Sequence, residues 1–296
     1  MAKALLDFTP AYCLVGIYRL VTDRHVRKPV WDKCRHGIIR GAAVAGVWTF
    51  FTYKLQTDFV RLFLLRSGSS SKYGIGDHQI FGYEISLAAY ATVMFMSSQI
   101  TGIIRYFLSR NLAIARQRAW DQVVASRGKS LDFWGPYAEE WTKPPKVTVG
   151  GNRWEKWVGG WIMRMIIRNA IITPISILIP YAGLLFSAMI KSISMSRTLH
   201  APYFIAKKMT PLEIAIFMQE HKFDYYTFGF CAALLESFPI IGLLFSVSNR
   251  VGAAMWAFDL EKRQNRFRKG QEKPKAPRTV VLPDGSTVDF APSRWP

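Results

Sequence analysis

Cysteine is scarce in this chain: Cys13, Cys34 and Cys231 are the only three in 296 residues, too few and too scattered for a disulfide framework. Cys34, His36 and His25 would supply three ligands of a tetrahedral metal site, but no fourth is at hand, so no metal is expected. The sequence has no HExxH pair and no GxSxG elbow. Gly74 and Gly76 open a phosphate-binding glycine loop that no third glycine completes, and a flexible turn is expected there. The five histidines (His25, His36, His78, His200, His221) are scattered over segments expected to be solvated or interfacial. These absences argue against an enzyme and against a bound cofactor. Zinc-finger spacing and RNA-binding aromatic-glycine signatures are also missing, so nucleic acid is not the expected partner. Asp7 and Pro10 interrupt the N-terminal apolar stretch and no small-residue cleavage site follows, unlike a signal peptide; an Arg- and Ser-rich mitochondrial presequence is not expected either. No N-x-S/T sequon occurs to report topology.

What the chain does have is long uncharged apolar runs. Half of it is hydrophobic, and residues 85–104 and 169–190 carry no formal charge. About 20 apolar helical residues cross a ~30 Å hydrocarbon core, and a buried helix of a soluble protein seldom lacks a polar face for so long. The fold class expected is therefore an all-α integral membrane protein. A net charge of +19 fits basic segments that flank such spans and attract anionic lipid headgroups.

Residues 8–28 read as an amphipathic helix capped by Thr9 with Pro10 in its first turn. A first span is expected from Gly37 to Leu55, with Arg40 and Lys54 snorkelling to opposite interfaces and FVRLFLL (59–65) lengthening or tilting it. Gly37 and Gly41 make a GxxxG face, suited to helix packing or to a homo-oligomer contact. Residues 67–80 read as a polar loop. The second span, 85–104, continues as an amphipathic helix to about Arg127, with Leu108, Leu112, Ala115, Ala119 and Val123 on one stripe. Residues 128–152 are Gly- and Pro-rich and read as a loop.

Over 153–168, Trp154, Trp157 and Trp161 share a face opposite Lys156, Arg164 and Arg168, as expected for a helix anchored at the headgroup level, or else for one packed on the protein's own surface. Thr210, Pro211 and Glu213 stand at capping-box spacing. A basic tail, 264–296, follows a membrane domain of residues 1–263, and TVVLPDGSTVDF (279–290) reads as a β-hairpin that must dock to be stable.

An internal repeat is the most specific feature. Residues 180–187 (PYAGLLFS) match residues 239–246 (PIIGLLFS) at six of eight positions, each with a cation eleven residues past its proline, Lys191 and Arg250. Proline breaks or kinks a helix. Blocks 169–195 and 223–258 therefore read as re-entrant helical hairpins bending at Pro180/Gly183 and Pro239/Gly242, each arm about 10 residues and half a bilayer long. Charge agrees. Residues 1–40, 105–168, 191–222 and 250–296 carry +5, +7, +3 and +5, against +1 for 41–84. Two full spans plus two hairpins leave only the near-neutral loop outside. Glu236 is then the deepest acid, with Arg250 across the hairpin as one partner, and the two form a candidate intramembrane polar site.

GIYRLVTDRHVRKPVW (16–31) and LLESFPIIGLLFSVSNRVGAAMWAFDLEKR (234–263) resemble the opening and the C-terminal signature of the CysZ-like sulfate permease superfamily. That superfamily includes the etoposide-induced membrane proteins, and the chain is most similar to the fungal outer-spore-wall and lipid-droplet membrane proteins. The resemblance spans roughly residues 10–263 and implies two long transmembrane helices with two partly inserted hairpins. It also implies a non-enzymatic protein of the endoplasmic reticulum or lipid droplets that organises or scaffolds membrane. Two full spans resist transfer to a droplet monolayer and favour the reticulum. The other function it implies is an anion (sulfate) permease. Ile241 and Gly242 stand where the permeases carry a polar Asn, and a carboxylate at Glu236 would repel sulfate unless paired.

Overall fold

The computed structural model describes residues 8–66, 78–80, 83–85, 87–127, 133–145, 180–238, 240–276, 278–281 and 287–290. They form seven α-helices: α1 (Ala11–Thr22), α2 (Arg24–Arg66), α3 (Leu87–Ala125), α4 (Pro180–Ala206), α5 (Pro211–Glu220), α6 (Lys222–Glu236) and α7 (Gly242–Arg268). Two short antiparallel hairpins accompany them. β1 (His78–Ile80) pairs with β2 (Tyr83–Ile85), with Gln79 opposite Glu84, and β3 (Arg278–Val281) pairs with β4 (Thr287–Phe290), with Thr279 opposite Asp289. The second is the hairpin expected in the tail. The first lies partly in the stretch read as a loop.

The expected N-terminal helix is shorter than its sequence signal. It ends at Thr22, because Asp23 is extended (φ −83°, ψ 106°) and donates its N–H back to Arg19. The Asp23 carboxylate then accepts the His25 N–H at 2.9 Å and opens α2. Thr9 does not cap α1. Its hydroxyl instead meets the Asp224 carbonyl and the Thr227 hydroxyl of α6. The basic stretch and the first expected span fuse into a single 43-residue helix, with Pro29 near its start.

α2 and α3 pack antiparallel. A Cβ on Gly37 would lie 2.8 Å from Leu108 Cδ2, and one on Gly41 would lie 3.0 Å from Ile104 Cα. Both glycines thus serve a helix contact inside the chain. Farther along the same seam, Gln99 Oε1 accepts from Trp48 Nε1 (2.8 Å) and Gln56 Nε2 (2.9 Å). The stripe Leu108, Leu112, Ala115, Ala119 and Val123 is buried, as its 3.6-residue spacing requires.

α1, α4, α5, α6 and α7 build the core with the C-terminal half of α3. Small residues set the crossings. Gly16 of α1 faces the Ser248 carbonyl of α7, and Gly252 of α7 faces the Tyr12 carbonyl. Gly229 of α6 lies against Ser192 and Ser196 of α4. The centre is aromatic: Trp256 lies 4.3 Å from the His200 ring and 4.9 Å from the Tyr225 and Phe228 rings. The capping box is complete, with the Thr210 hydroxyl taking the Glu213 N–H and the Glu213 carboxylate taking the Thr210 N–H. The tail boundary expected after residue 263 falls inside α7, where Gln264 is fully buried.

Among the described residues no helix is long and apolar enough to cross a membrane. α2 has the length, but Arg40, Lys54, Asp58 and Arg61 punctuate it. The side chains of 87–91 and 94, within the expected second span, lie outside the described residues.

Candidate functional site

The second proline-centred block does turn back on itself. α6 stops at Glu236, α7 starts at Gly242, and the chain reverses over 237–241; Pro239 itself lies outside the described residues. Gly242 is required here, because a Cβ would sit 2.4 Å from the Glu236 carbonyl oxygen. Ile240 adopts a left-handed conformation (φ 61°), and its N–H donates to Thr101 Oγ1 of α3 at 2.9 Å. The first block is described only from Pro180, the first residue of α4. That helix runs on without interruption through the buried Gly183 to Ala206. The arm 169–179 lies outside the described residues, as do Trp154, Lys156, Trp157, Trp161, Arg164 and Arg168.

Glu236 sits beside the turn, as expected, but its neighbour is not Arg250. Arg116 Nη2 of α3 lies 3.9 Å from Glu236 Oε2, and Asn249 Nδ2 donates to Oε1 at 3.3 Å. Arg250 points the other way and donates to the Thr198 and Leu199 carbonyls of α4 (3.1 and 2.7 Å). One helical position separates Asn249 from Arg250, a rotation of about 100° that turns only the former into the α6–α7 seam. The Nε atoms of Arg116 and Arg250 are buried and make no hydrogen bond.

Outside this polar patch, the surface around the turn and along the helix pair carries many exposed apolar side chains, with the exposed Arg40, Lys54, Asp58 and Arg61 among those of α2. Ile39, Val44, Val47, Phe50, Phe51, Leu55, Phe59 and Leu62 of α2 are exposed, Phe50 by 81% and Phe51 by 76%. Val93 and Phe95 of α3, Leu185, Phe186, Met189, Ile190 and Ile193 of α4, and Phe238, Ile240, Ile241 and Leu244 around the turn are exposed as well. The inner seam of the same pair holds Gln56, Gln99 and Thr92. Monomers in water rarely expose large apolar patches, and so many exposed large apolar side chains on neighbouring helices point to a surface that something covers.

A second polar cluster was not legible in the sequence. Residues 133–143 lie as a strap across the C-terminal half of α7. Ala138 exchanges two hydrogen bonds with the Gln264 side chain, its N–H to Oε1 (2.9 Å) and its carbonyl from Nε2 (3.1 Å). Gln264 also donates to Glu140 Oε1 at 2.7 Å. The Gly135 N–H donates to Glu261 Oε1 (3.1 Å), and Tyr137 donates to Glu220 Oε2 (2.8 Å). Glu261 is fully buried beside Lys207 (2.6 Å) and Arg268 (2.8 Å), and Glu140 lies between Arg263 (2.6 Å) and His221 (3.3 Å).

His200 and His221 are buried, contrary to the solvated setting expected for them. Burial holds the His200 imidazole well below its ordinary range, to about 3, so this ring is neutral between Tyr225 and the Ala253 carbonyl. Burial also works against a charged His221, but Glu140 and Asp224 outweigh it and raise the group to about 9. Burial likewise opposes ionisation of Glu140, yet His221 and Arg263 pull it down to about 2. Glu220, buried beside them, is pushed up to about 7.

Among the described residues no group of three or more His, Cys, Asp or Glu side chains is arranged to hold a metal ion. Comparison with protein-family models, curated proteins and solved structures gives no match.

Proposed function

We propose that this chain is an integral membrane protein of the endoplasmic reticulum that organises or scaffolds the bilayer without catalysis, lipid droplets being the other membrane it would serve. The observation that carries the reading is the exposed apolar face of the α2–α3 pair, with Phe50, Phe51 and Leu55 outside, while a hydrogen-bonded Gln56–Gln99 pair lies in a seam with Ala45, Val60, Met96 and Ile104. A hydrocarbon solvent favours that arrangement and water does not. From Ile39 to Leu62 exposed apolar side chains recur along about 35 Å of helix, close to a bilayer core, and the exposed charges among them (Arg40, then Lys54, Asp58 and Arg61) lie toward the two ends. The reversal at 237–241, tipped by Phe238, Ile240 and Ile241, acts as a re-entrant hairpin that enters partway, and the Pro180 block acts as its repeat. The basic segments then face the cytosol and anionic headgroups.

Glycosylation mapping tests the topology. Lys208, exposed at the corner between α4 and α5, takes an engineered sequon without breaking a helix, and the segment 67–77 takes the control. Modification of the control with none at 208 supports two spans plus hairpins. Modification at 208 requires the intervening blocks to cross, and absence of membrane integration in both variants overturns the reading.

A second reading, an anion permease, is favoured by Arg116, a cation beside the turn whose buried Nε makes no hydrogen bond and whose nearest carboxylate, Glu236, is as far as 3.9 Å. Sulfate uptake into proteoliposomes that is abolished in Arg116→Gln would support it. Uptake no faster than in empty vesicles would eliminate it.

A further inference from the structure

We infer that residues 133–143 are a proton-operated latch, closed on α7 while His221 is charged and released as that proton leaves. The inference stands on where the strap's bonds end. Of its backbone groups, the N–H of Gly135 and both polar groups of Ala138 go to side chains of α7 (Glu261 and Gln264), and the Glu140 N–H goes to Glu220 Oε1 at the end of α5. The end of the strap is also tied by backbone to the segment after α7, with the Thr142 N–H going to the Lys275 carbonyl (3.1 Å) and the Lys275 N–H to the Glu140 carbonyl (2.8 Å). Residues 135–140 otherwise hang on side chains, so their closure depends on the charges of Glu261, Glu220 and Glu140 and on the cations that face them.

His221 is the hub. It stands between α5 and α6, with Glu140 of the strap 3.3 Å from Nε2 and Asp224 of α6 3.6 Å from Nδ1. Arg263 of α7 reaches the far oxygen of Glu140, and Glu220 precedes His221 in the chain. Tyr137 of the strap faces Glu220, and the exposed Glu139 lies near Tyr137. Lys207, just past α4, and Glu261 and Arg268 of α7 form the adjoining pair of ion pairs, and His200, toward the core, is neutral. Around His221, then, two cations (His221 and Arg263) balance two carboxylates (Glu140 and Asp224) only while His221 is protonated.

The direction follows from linkage. His221 is raised to about 9 from an ordinary 6.5, so its contribution is complete below pH 6.5 and is lost as pH rises through 9. Glu220 is raised to about 7, so its ionisation within the closed strap also weakens closure, between pH 4.5 and 7. Glu140, lowered to about 2, contributes fully above pH 4.5 and is constant over this window. The His221 and Glu220 contributions both fall with rising pH, so the latch opens on the alkaline side and uncovers the cations Lys207, Arg263 and Arg268.

Amide hydrogen exchange of the full chain in detergent micelles tests this directly. Corrected for the intrinsic rate, protection of the Ala138 and Glu140 amides should fall at least about tenfold between pH 6.5 and 9, while amides in the middle of α7 stay protected. Glu140→Gln removes the charge that raises His221, so the fall should move to lower pH. His221→Gln should leave the strap weakly protected at every pH, without the step. Flat protection of the strap across pH 6.5–9 in the unmodified chain overturns the inference. An undiminished, unshifted step in Glu140→Gln or His221→Gln does so too, and because either variant alone reports, misfolding of one leaves the other decisive.

Discussion

Lys207 Nζ and Glu261 Oε2 lie 2.6 Å apart with both side chains fully removed from solvent. Glu261 also accepts from Tyr203 and the Gly135 N–H and pairs with Arg268, so its carboxylate is the common acceptor of α4, α7 and the strap. Burial lowers the Lys207 ammonium, and Glu261 offsets much of that.

Removing one partner of such a pair strands the other charge. Glu261→Ala should destabilise the protein by about 3–5 kcal/mol. Thermal unfolding in detergent should register the loss, and replacing Lys207 with Met in the same background should recover part of it.

The α1–α7 crossing makes a sharper contrast between glycines. A Cβ on Gly16 would lie 2.2 Å from the Ser248 carbonyl oxygen, backbone that cannot swing away, whereas Gly46 has nothing within 4 Å. Gly16→Ala should therefore lower the unfolding midpoint markedly. Gly46→Ala should be neutral or stabilise by up to about 1 kcal/mol through helix propensity.

Thr210→Ala removes the oxygen that accepts the Glu213 N–H and should cost about 1 kcal/mol, measured by chemical denaturation. Thr210→Asp should restore most of it.

If lipid covers the outer face of α2, charge placed there should prevent stable insertion. The double substitution Phe50→Glu and Phe51→Glu alters two exposed residues that lie outside the core. It should shift the chain from the carbonate-resistant membrane fraction to the extractable one. The same substitution without effect on extraction would mean that this face is not in hydrocarbon.

Features fixed by neighbours in the chain were readable from the residues alone. Thr210-Pro-x-Glu213 needs four positions, the Leu108–Val123 stripe needs only helical spacing, and the reversal before Gly242 needs a proline and a glycine. Features that need a partner far along the chain were not. Glu236 finds Arg116, 120 positions away, and no local pattern distinguishes that cation from Arg250. His200 and His221 read as ordinary polar residues until α6 and α7 close over them. The strap looked like a loop because its Gly and Pro content is that of a loop, and only the buried Gln264 and Glu261 opposite it give it a fixed place.

Ile240 combines two choices that run against each other in water. Its left-handed backbone is one that a β-branched residue adopts at a cost of roughly 1–2 kcal/mol, and its side chain stands 47% exposed. Glycine would relieve the backbone and give up only the covered half of that side chain, so packing within the fold gives isoleucine a small return there. The side chain is retained at the outermost point of a reversal whose corner N–H is already taken by Thr101. What isoleucine adds at that corner is affinity for whatever the tip touches, and Ile240→Gly would therefore separate the stability of the fold from the strength of its grip on its surroundings.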